Sequence, residues 1–358
     1  MTHHLSINGR FLTRPATGVD RFAFELLRAW QQYMPATLPV KAFIPRNSSV
    51  LAEQPPVEVV CAGRMGGHAW EQLELPWLSA GNCLVSLCGT GPVLYQRQLA
   101  VLHDANVMAN PWVFSFAFRN WYRTIFKSLM QRAAVVATVS KFSASELARY
   151  FGVRPAGLEV IYESGEHILR NPSDTAILKR LGIENRRYVL SVGSRSPNKN
   201  FAGVVQAATQ LLDLDIKVVF AGGSNSRVFA GVPLSGENLV LAGYVTDSEL
   251  RALYERADCF LYPSFYEGFG LPPLEAMHCG CPVIVSNGSS LPEVCGEAAL
   301  YCDPSDPLDI ANRVREVLSS PGLRSDLKSA GLKRASEFTW SGAARSFQEI
   351  LERYRLCE

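Results

Sequence analysis

The chain holds 358 residues, 47% hydrophobic and 19% charged, which excludes a wholly disordered chain and, at about 150 residues per domain, predicts two domains. Lys and Arg total 35 against 33 Asp and Glu, and a net charge of +2 is too small for a protein whose main task is neutralising nucleic-acid phosphates. No apolar run reaches the roughly 18 residues of a membrane span, and Met1-Thr2-His3-His4-Leu5 lacks the pattern of a secretory leader, so a cytoplasmic chain is expected.

Ile7-Asn8-Gly9-Arg10 and Ala16-Thr17-Gly18-Val19-Asp20 precede a predicted helix over Val19–Gln32. Gly18 there either turns backbone amides towards a phosphate or serves a simple helix cap. Strands are predicted at Val40–Ile44, Leu84–Leu87, Leu99–Leu102, Val135–Val139 and Leu158–Tyr162, with a helix over Ser143–Tyr150. These are short continuous runs of Val, Leu and Ile without polar alternation, the pattern of parallel strands covered on both faces. His103-Asp104 follows the third of them; such a pair is either structural or, at a carboxyl strand end, functional, the His contacting a sugar hydroxyl and the Asp orienting the ring or meeting an acceptor. The segment Phe114–Arg132 mixes six aromatics with Arg119, Arg123, Lys127 and Arg132. As a helix it is amphipathic with a basic face. The pattern favours a core helix with a solvated face over one seated on an anionic membrane.

Loop signals over Ser164–Pro172 place a boundary there, giving domains 1–167 and 168–340. The first carries 15 basic and 11 acidic residues, the remainder 20 and 22. The mildly basic part is thus the first. Strands follow at Tyr188–Val192, Ile216–Ala221, Leu239–Leu241, Cys259–Tyr262 and Pro282–Val285, with helices over Phe201–Leu212 and Asp247–Arg256. Two such sets in succession imply an α/β protein of two doubly wound domains.

The strongest chemical signal is Glu267-Gly268-Phe269-Gly270-Leu271-Pro272-Pro273-Leu274-Glu275. It reads as a Gly-rich turn after a strand, then a helix start that tolerates prolines in its first turn. Such a helix end presents free amides to an anion, here a diphosphate. Glu267 and Glu275 flank it as acceptors for sugar and ribose hydroxyls. Arg195 and Lys199, on the loop after Tyr188–Val192, supply cations that would neutralise the diphosphate. Asp213-Leu214-Asp215 falls between a helix and a strand and is rejected as a metal site. His278-Cys279-Gly280-Cys281 has poor zinc spacing. The nine cysteines include no C-x-x-C pair and are read as reduced thiols; neither metal nor cofactor is expected.

These motifs, with Ala137-Thr138-Val139-Ser140, Pro282-Val283-Ile284-Val285-Ser286, Leu291-Pro292-Glu293-Val294 and Phe338-Thr339-Trp340, resemble the retaining glycosyltransferases of family four over nearly the whole chain. They are most similar to bacterial enzymes of O-antigen and exopolysaccharide assembly, which often use GDP-mannose. The resemblance implies a GT-B fold, two Rossmann-like domains facing across a cleft. The first would bind most of a glycan or lipid-linked glycan acceptor and the second the nucleotide-sugar donor. The last helix, 341–358, would return to the first domain. It also implies that Glu275 binds the ribose and that Glu267 holds the donor sugar. Arg195 and Lys199 would grip the diphosphate with the amides of Gly270 and Leu271, beside Gly268 and Phe269. His103 would touch the donor sugar and Asp104 the acceptor side. One departure stands out: the family commonly has Gly-Arg after the strand, whereas this chain reads Gly193-Ser194-Arg195. Two rival readings remain on the residues alone. One is another nucleotide-sugar enzyme of epimerase type; the other is a non-catalytic nucleotide-sugar sensor. No contact with nucleic acid is expected, whereas contact with an anionic membrane stays open.

Overall fold

Among the described residues the strands form two sheets, both wholly parallel. The computed structural model describes residues 5–34, 38–51, 55–194, 196–223 and 238–356. The first sheet contains β1 (Leu5–Asn8), β2 (Val40–Pro45), β3 (Glu58–Ala62), β4 (Cys83–Ser86), β5 (Gln98–Val101), β6 (Val135–Thr138) and β7 (Glu159–Val160). Its spatial order is β3-β2-β1-β4-β5-β6-β7. The second contains β8 (Tyr188–Val192), β9 (Lys217–Ala221), β10 (Leu239–Gly243), β11 (Cys259–Tyr262), β12 (Val283–Ser286) and β13 (Ala299–Cys302), in the order β10-β9-β8-β11-β12-β13.

Strands β4, β5, β6, β11 and β12 are buried along their whole length, as continuous apolar runs require when helices cover both faces. β1, β3 and β13 have no counterpart among the strands predicted from sequence. β1 is only four residues long, and β3 mixes exposed and half-buried positions at the edge of its sheet.

In each sheet the order reverses beside the first strand of the set, at β1/β4 and at β8/β11. A doubly wound sheet opens a crevice outside the carboxyl ends of such strands, and ligands bind there. The sequence therefore has two addresses for chemistry: the loops after β1 and β4, and the loops after β8 and β11.

The chain divides into two compact units, Met1–Glu163 with Trp340–Glu358, and Ser164–Thr339. By this division His167 lies in the second unit. The helix Trp340–Arg353 packs on the helix Gly18–Trp30. Trp30 donates from Nε1 to Gln348 Oε1 at 2.7 Å, and its ring meets Phe347 edge-on at 5.1 Å. The core of the second unit gathers Val189, Val204, Leu211, Leu261, Ile284, Ile310 and Val314. In the first, the helix Phe116–Arg132 buries Ile125, Phe126 and Leu129 against Ala100, Leu102 and Val136.

Candidate active site

The loops after β8 and β11 are stitched to one another. Asn198 donates from Nδ2 to the Tyr266 carbonyl at 3.1 Å and accepts at its own carbonyl from Phe265 N at 2.8 Å. Asn200, at φ 52°, caps the helix Phe201–Thr209 through its Oδ1 and donates from Nδ2 to the carbonyls of Pro263 and Pro304. The αL conformation suits an Asn, whose short amide bonds the nearby backbone.

This stitching brings Lys199 to Glu267. Lys199 Nζ lies 2.8 Å from each carboxylate oxygen of Glu267 and 2.8 Å from the Tyr262 hydroxyl. All three side chains are largely buried. Burial alone would lower the lysine pKa; the charge of Glu267, with Tyr262, outweighs it and raises the pKa above its ordinary value. Burial, and then Glu267, raise the Tyr262 phenol. The group is therefore an ammonium-carboxylate pair roofed by a neutral phenol.

The turn itself is clamped from the loop after β12. The Glu267 N–H donates to Ser289 Oγ at 3.2 Å, and Ser290 Oγ lies 3.1 and 2.6 Å from the carbonyls of Glu267 and Phe269. Gly270 has φ 112°, and a Cβ there would come within 2.7 Å of Leu291, so this position requires glycine. The helix Leu271–His278 then begins with Pro272 and Pro273 in its first turn. Proline has no N–H, so the free donors at this helix end are concentrated at Gly270 and Leu271. Phe269 is buried beside Gly268, its ring edge-on to Phe338 at 5.8 Å.

Glu275 sits in the second turn of that helix, 6% exposed. Its Oε1 lies 2.9 Å from His167 Nε2 and its Oε2 accepts from the Tyr254 hydroxyl at 3.0 Å. Arg195 lies outside the described residues.

The remaining candidates belong to the first unit. His103 follows β5 and is buried, its Nε2 2.8 Å from the Leu87 carbonyl and its Nδ1 3.4 Å from Glu163. Burial lowers its pKa, but Glu163 outweighs burial and the net shift is upward. Asp104 accepts from Asn106 N at 2.7 Å, opening a short helix. Gly18 is the first residue of the helix Gly18–Trp30; Thr17 and Asp20 form a capping box around it, and Arg14 clasps Asp20 with two N–H groups.

Sequence reasoning missed several residues. At the β1/β4 reversal, Glu71 is fully buried in a π-helical stretch, Trp70–Glu74. It accepts from Arg10 at 2.6 Å, Thr90 Oγ1 at 2.9 Å and Asn8 Nδ2 at 3.0 Å. Burial pushes its pKa up, yet His68, Arg10 and Asn8 together bring it to about 2. No local motif marks Glu71, and apart from nearby His68 its partners come from two distant segments, Asn8 with Arg10 and Thr90. Tyr262, Tyr254, His167, Ser289 and Ser290 were likewise invisible, because each acts across long sequence separations. Asp213 and Asp215 pair with different arginines, Arg315 and Arg186, on the surface. His278 is pushed down to about 4 by burial and by His167, and burial pushes Cys279 up to about 12. Among the described residues, no cluster of three or more His, Cys, Asp or Glu is arranged to hold a metal ion, and no helix is long and apolar enough to cross a membrane.

Comparison with known proteins fits this geometry. The model of the family "Glycosyl transferases group 1" matches residues 173–334, which include β8 to β13 and the paired loops. O-antigen chain mannosyltransferase B of Escherichia coli is 35% identical over 271 residues, 70% of each chain. The serotype-specific mannosyltransferase WbdA of Escherichia coli is 29% identical over 69% of this chain, which spans only 32% of that longer protein. Sucrose-phosphate synthase from Thermosynechococcus elongatus superposes with a TM-score of 0.77 at 19% identity, over 99% of this chain and 100% of that one, a likeness of fold. The epimerase and sensor readings are thereby set aside. The chain belongs to the group 1 glycosyl transferases, as a retaining hexosyltransferase of GT-B fold close in sequence to bacterial O-antigen mannosyltransferases.

Proposed function

We propose that the enzyme moves mannose from GDP-mannose to a hydroxyl of a growing, lipid-linked bacterial glycan at the inner face of the cytoplasmic membrane. The observation that carries the reading is the Lys199–Glu267–Tyr262 cluster beside a helix start whose free amides are confined to Gly270 and Leu271. A diphosphate seats against those amides, Lys199 and Arg195, with Gly268 and Phe269 shaping the turn. Glu275 takes the ribose and Glu267 the sugar hydroxyls. His103 and Asp104 keep the parts that the family resemblance implies, on the first unit, while Gly18 opens a capped helix there. The mannosyl choice follows the relatives, O-antigen chain mannosyltransferase B and mannosyltransferase WbdA of Escherichia coli.

The bond from the anomeric carbon to the diphosphate oxygen breaks, its electron pair passing to that oxygen through an oxocarbenium-like state. Negative charge grows there, where a cation and oriented amides stabilise the transition state more than the ground state. The acceptor hydroxyl attacks from the same face, and its proton passes to the departing diphosphate. Lys199 has three N–H bonds, and Glu267 and Tyr262 account for three contacts. Donor binding therefore requires Lys199 to trade a partner, and the same exchange frees Glu267 to receive hydroxyls.

The acceptor's lipid suits the helix Phe116–Arg132. Its amino-terminal end exposes Phe116, Phe118 and Trp121, with Trp112 76% exposed just before it. Residues 105–145 contain five basic side chains and no acidic one. The sequence pattern favours a core helix with a solvated face; Ile125, Phe126 and Leu129 are buried in the core, and Phe116, Phe118 and Trp121 lie outward. Exposed aromatics flanked by cations suit an anionic bilayer surface.

The test is a donor panel, GDP-mannose, UDP-glucose and UDP-galactose, each with an O-antigen-type mannan primer. Primer-dependent release of GDP, abolished in Glu267→Ala, is expected. Release from the UDP sugars alone would overturn the mannosyl reading.

A further inference from the structure

We infer that His167 and Tyr254 are positioning residues that hold the Glu275 carboxylate at one fixed rotation, so that the site distinguishes ribonucleoside from 2′-deoxyribonucleoside diphosphates. The inference rests on the reading of Glu275 as the ribose ligand and adds the device that aims it.

Three separate elements converge on this carboxylate. Glu275 comes from the helix Leu271–His278, Tyr254 from the helix Asp247–Arg256, and His167 from the single turn Glu166–Leu169. His167 approaches Oε1 and Tyr254 approaches Oε2, one donor on each oxygen, so the plane of the carboxylate cannot rotate without losing a contact. An ionised carboxylate only accepts, so His167 Nε2 carries the proton in its contact. Nδ1 of the same ring lies 3.2 Å from the Ser164 carbonyl. Ser164 itself is anchored, its Oγ donating to the Phe338 carbonyl at 2.8 Å.

The backbone shows the same demand for close approach. A Cβ on Gly165 would lie 2.5 Å from Glu275 N and 2.7 Å from the Leu274 carbonyl carbon, so only glycine lets this turn reach the helix. His278, one turn beyond Glu275, is pushed down to about 4 and is neutral near pH 7. His167 and Tyr254 are both buried, as is Glu275. A buried carboxylate left without donors would be costly, and a carboxylate free to swivel would lose the geometry that two adjacent hydroxyls need. A site built around hydrogen bonds to a hydroxyl discriminates strongly against the analogue that lacks it.

Calorimetric titration with GDP and 2′-deoxy-GDP, and with UDP and 2′-deoxy-UDP, tests this on the full-length protein. The native enzyme should prefer the ribo form by about tenfold or more, the worth of a hydrogen bond to a charged acceptor. Glu275→Ala should bring the preference to near one. His167→Ala should remove most of it while leaving affinity for inorganic pyrophosphate unchanged, and His167→Gln, which keeps an N–H donor, should restore part. His167→Ala combined with Glu275→Ala should fall no further than Glu275→Ala alone, as expected for residues acting through one group. Full ribo preference in His167→Ala, with the preference lost in Glu275→Ala, would overturn the positioning role and leave the ribose reading standing. Full preference in Glu275→Ala would overturn the ribose reading and the inference with it. Should His167→Ala fail to fold, Tyr254→Phe removes a single hydroxyl from the same carboxylate, and an unchanged preference there would overturn the inference equally.

Discussion

Glu71 shows what one buried carboxylate demands of its surroundings. Its oxygens receive Arg10, Thr90 and Asn8, with His68 at 3.3 Å, and its pKa falls from the ordinary 4.5 to about 2. A depressed folded-state pKa means that the unfolded chain binds more protons between these values. Stability from Glu71 is therefore complete above pH 4.5 and is lost as the pH falls towards 2. Two to three pKa units correspond to about 3 kcal/mol. Glu71→Gln should be less stable at pH 7 and should lack that part of the acid decline, measured by urea unfolding across pH 2.5 to 7. An acid decline identical to that of the native protein would refute the assignment. At this scale the sequence was legible where chemistry is local. Glu267-Gly268-Phe269-Gly270 carries its own turn signal, and Lys199 follows a strand end. Tyr262, 63 residues from Lys199, and His167, 108 from Glu275, are linked to them only through folding. Arg10 was quoted in a motif, but nothing nearby in sequence revealed its carboxylate partner.

Among elements, continuous apolar runs such as Cys259–Tyr262 and Val283–Ser286 were readable because full burial on both faces leaves a simple trace. β3, with Glu58 and Cys61 exposed at a sheet edge, leaves a mixed trace that resembles a loop. The helix Phe116–Arg132 was recognised as amphipathic, yet periodicity reports only which face is apolar. It does not report which aromatics find partners. Ile125 and Leu129 found the sheet; Trp112 and Phe116 did not. That contrast makes a prediction. The protein should sediment with phosphatidylglycerol vesicles and not with phosphatidylcholine vesicles, and rising salt should release it, as screening of exposed charge requires. Replacing Trp112 and Phe116 with Ser, or Arg123 and Lys127 with Glu, should reduce binding by tenfold or more, at about 1 kcal/mol per basic residue. Equal binding to both lipids would leave the helix with a solvated face and nothing more.

For the whole molecule, the helix Trp340–Arg353 is a structural member of the first unit. Phe347, Ile350 and Leu351 are buried, and burying each such side chain contributes about 1.5–3 kcal/mol. Deleting residues 340–358 should strip hydrogen-exchange protection from the helix Gly18–Trp30 and from β1, while β8 to β13 keep theirs. Unchanged protection in Gly18–Trp30 would show that the last helix is dispensable to that unit. Two doubly wound domains were legible from the succession of two α/β sets, and the GT-B fold from the motifs that resemble the family. The partners of the terminal helix were not visible in its own residues, since its apolar stripe would suit any core.

The discontinuity of the first unit also bears on synthesis. Ribosomes deliver the chain from the amino terminus at about 5–20 residues per second, and domains fold as they emerge. Here Ser164–Thr339 is complete before Trp340 is made, whereas the unit begun at the amino terminus still lacks its closing helix. The unit that is begun first is the one that must wait, holding the side of Gly18–Trp30 that meets Phe347 and Gln348 uncovered until residues 340–353 have been made.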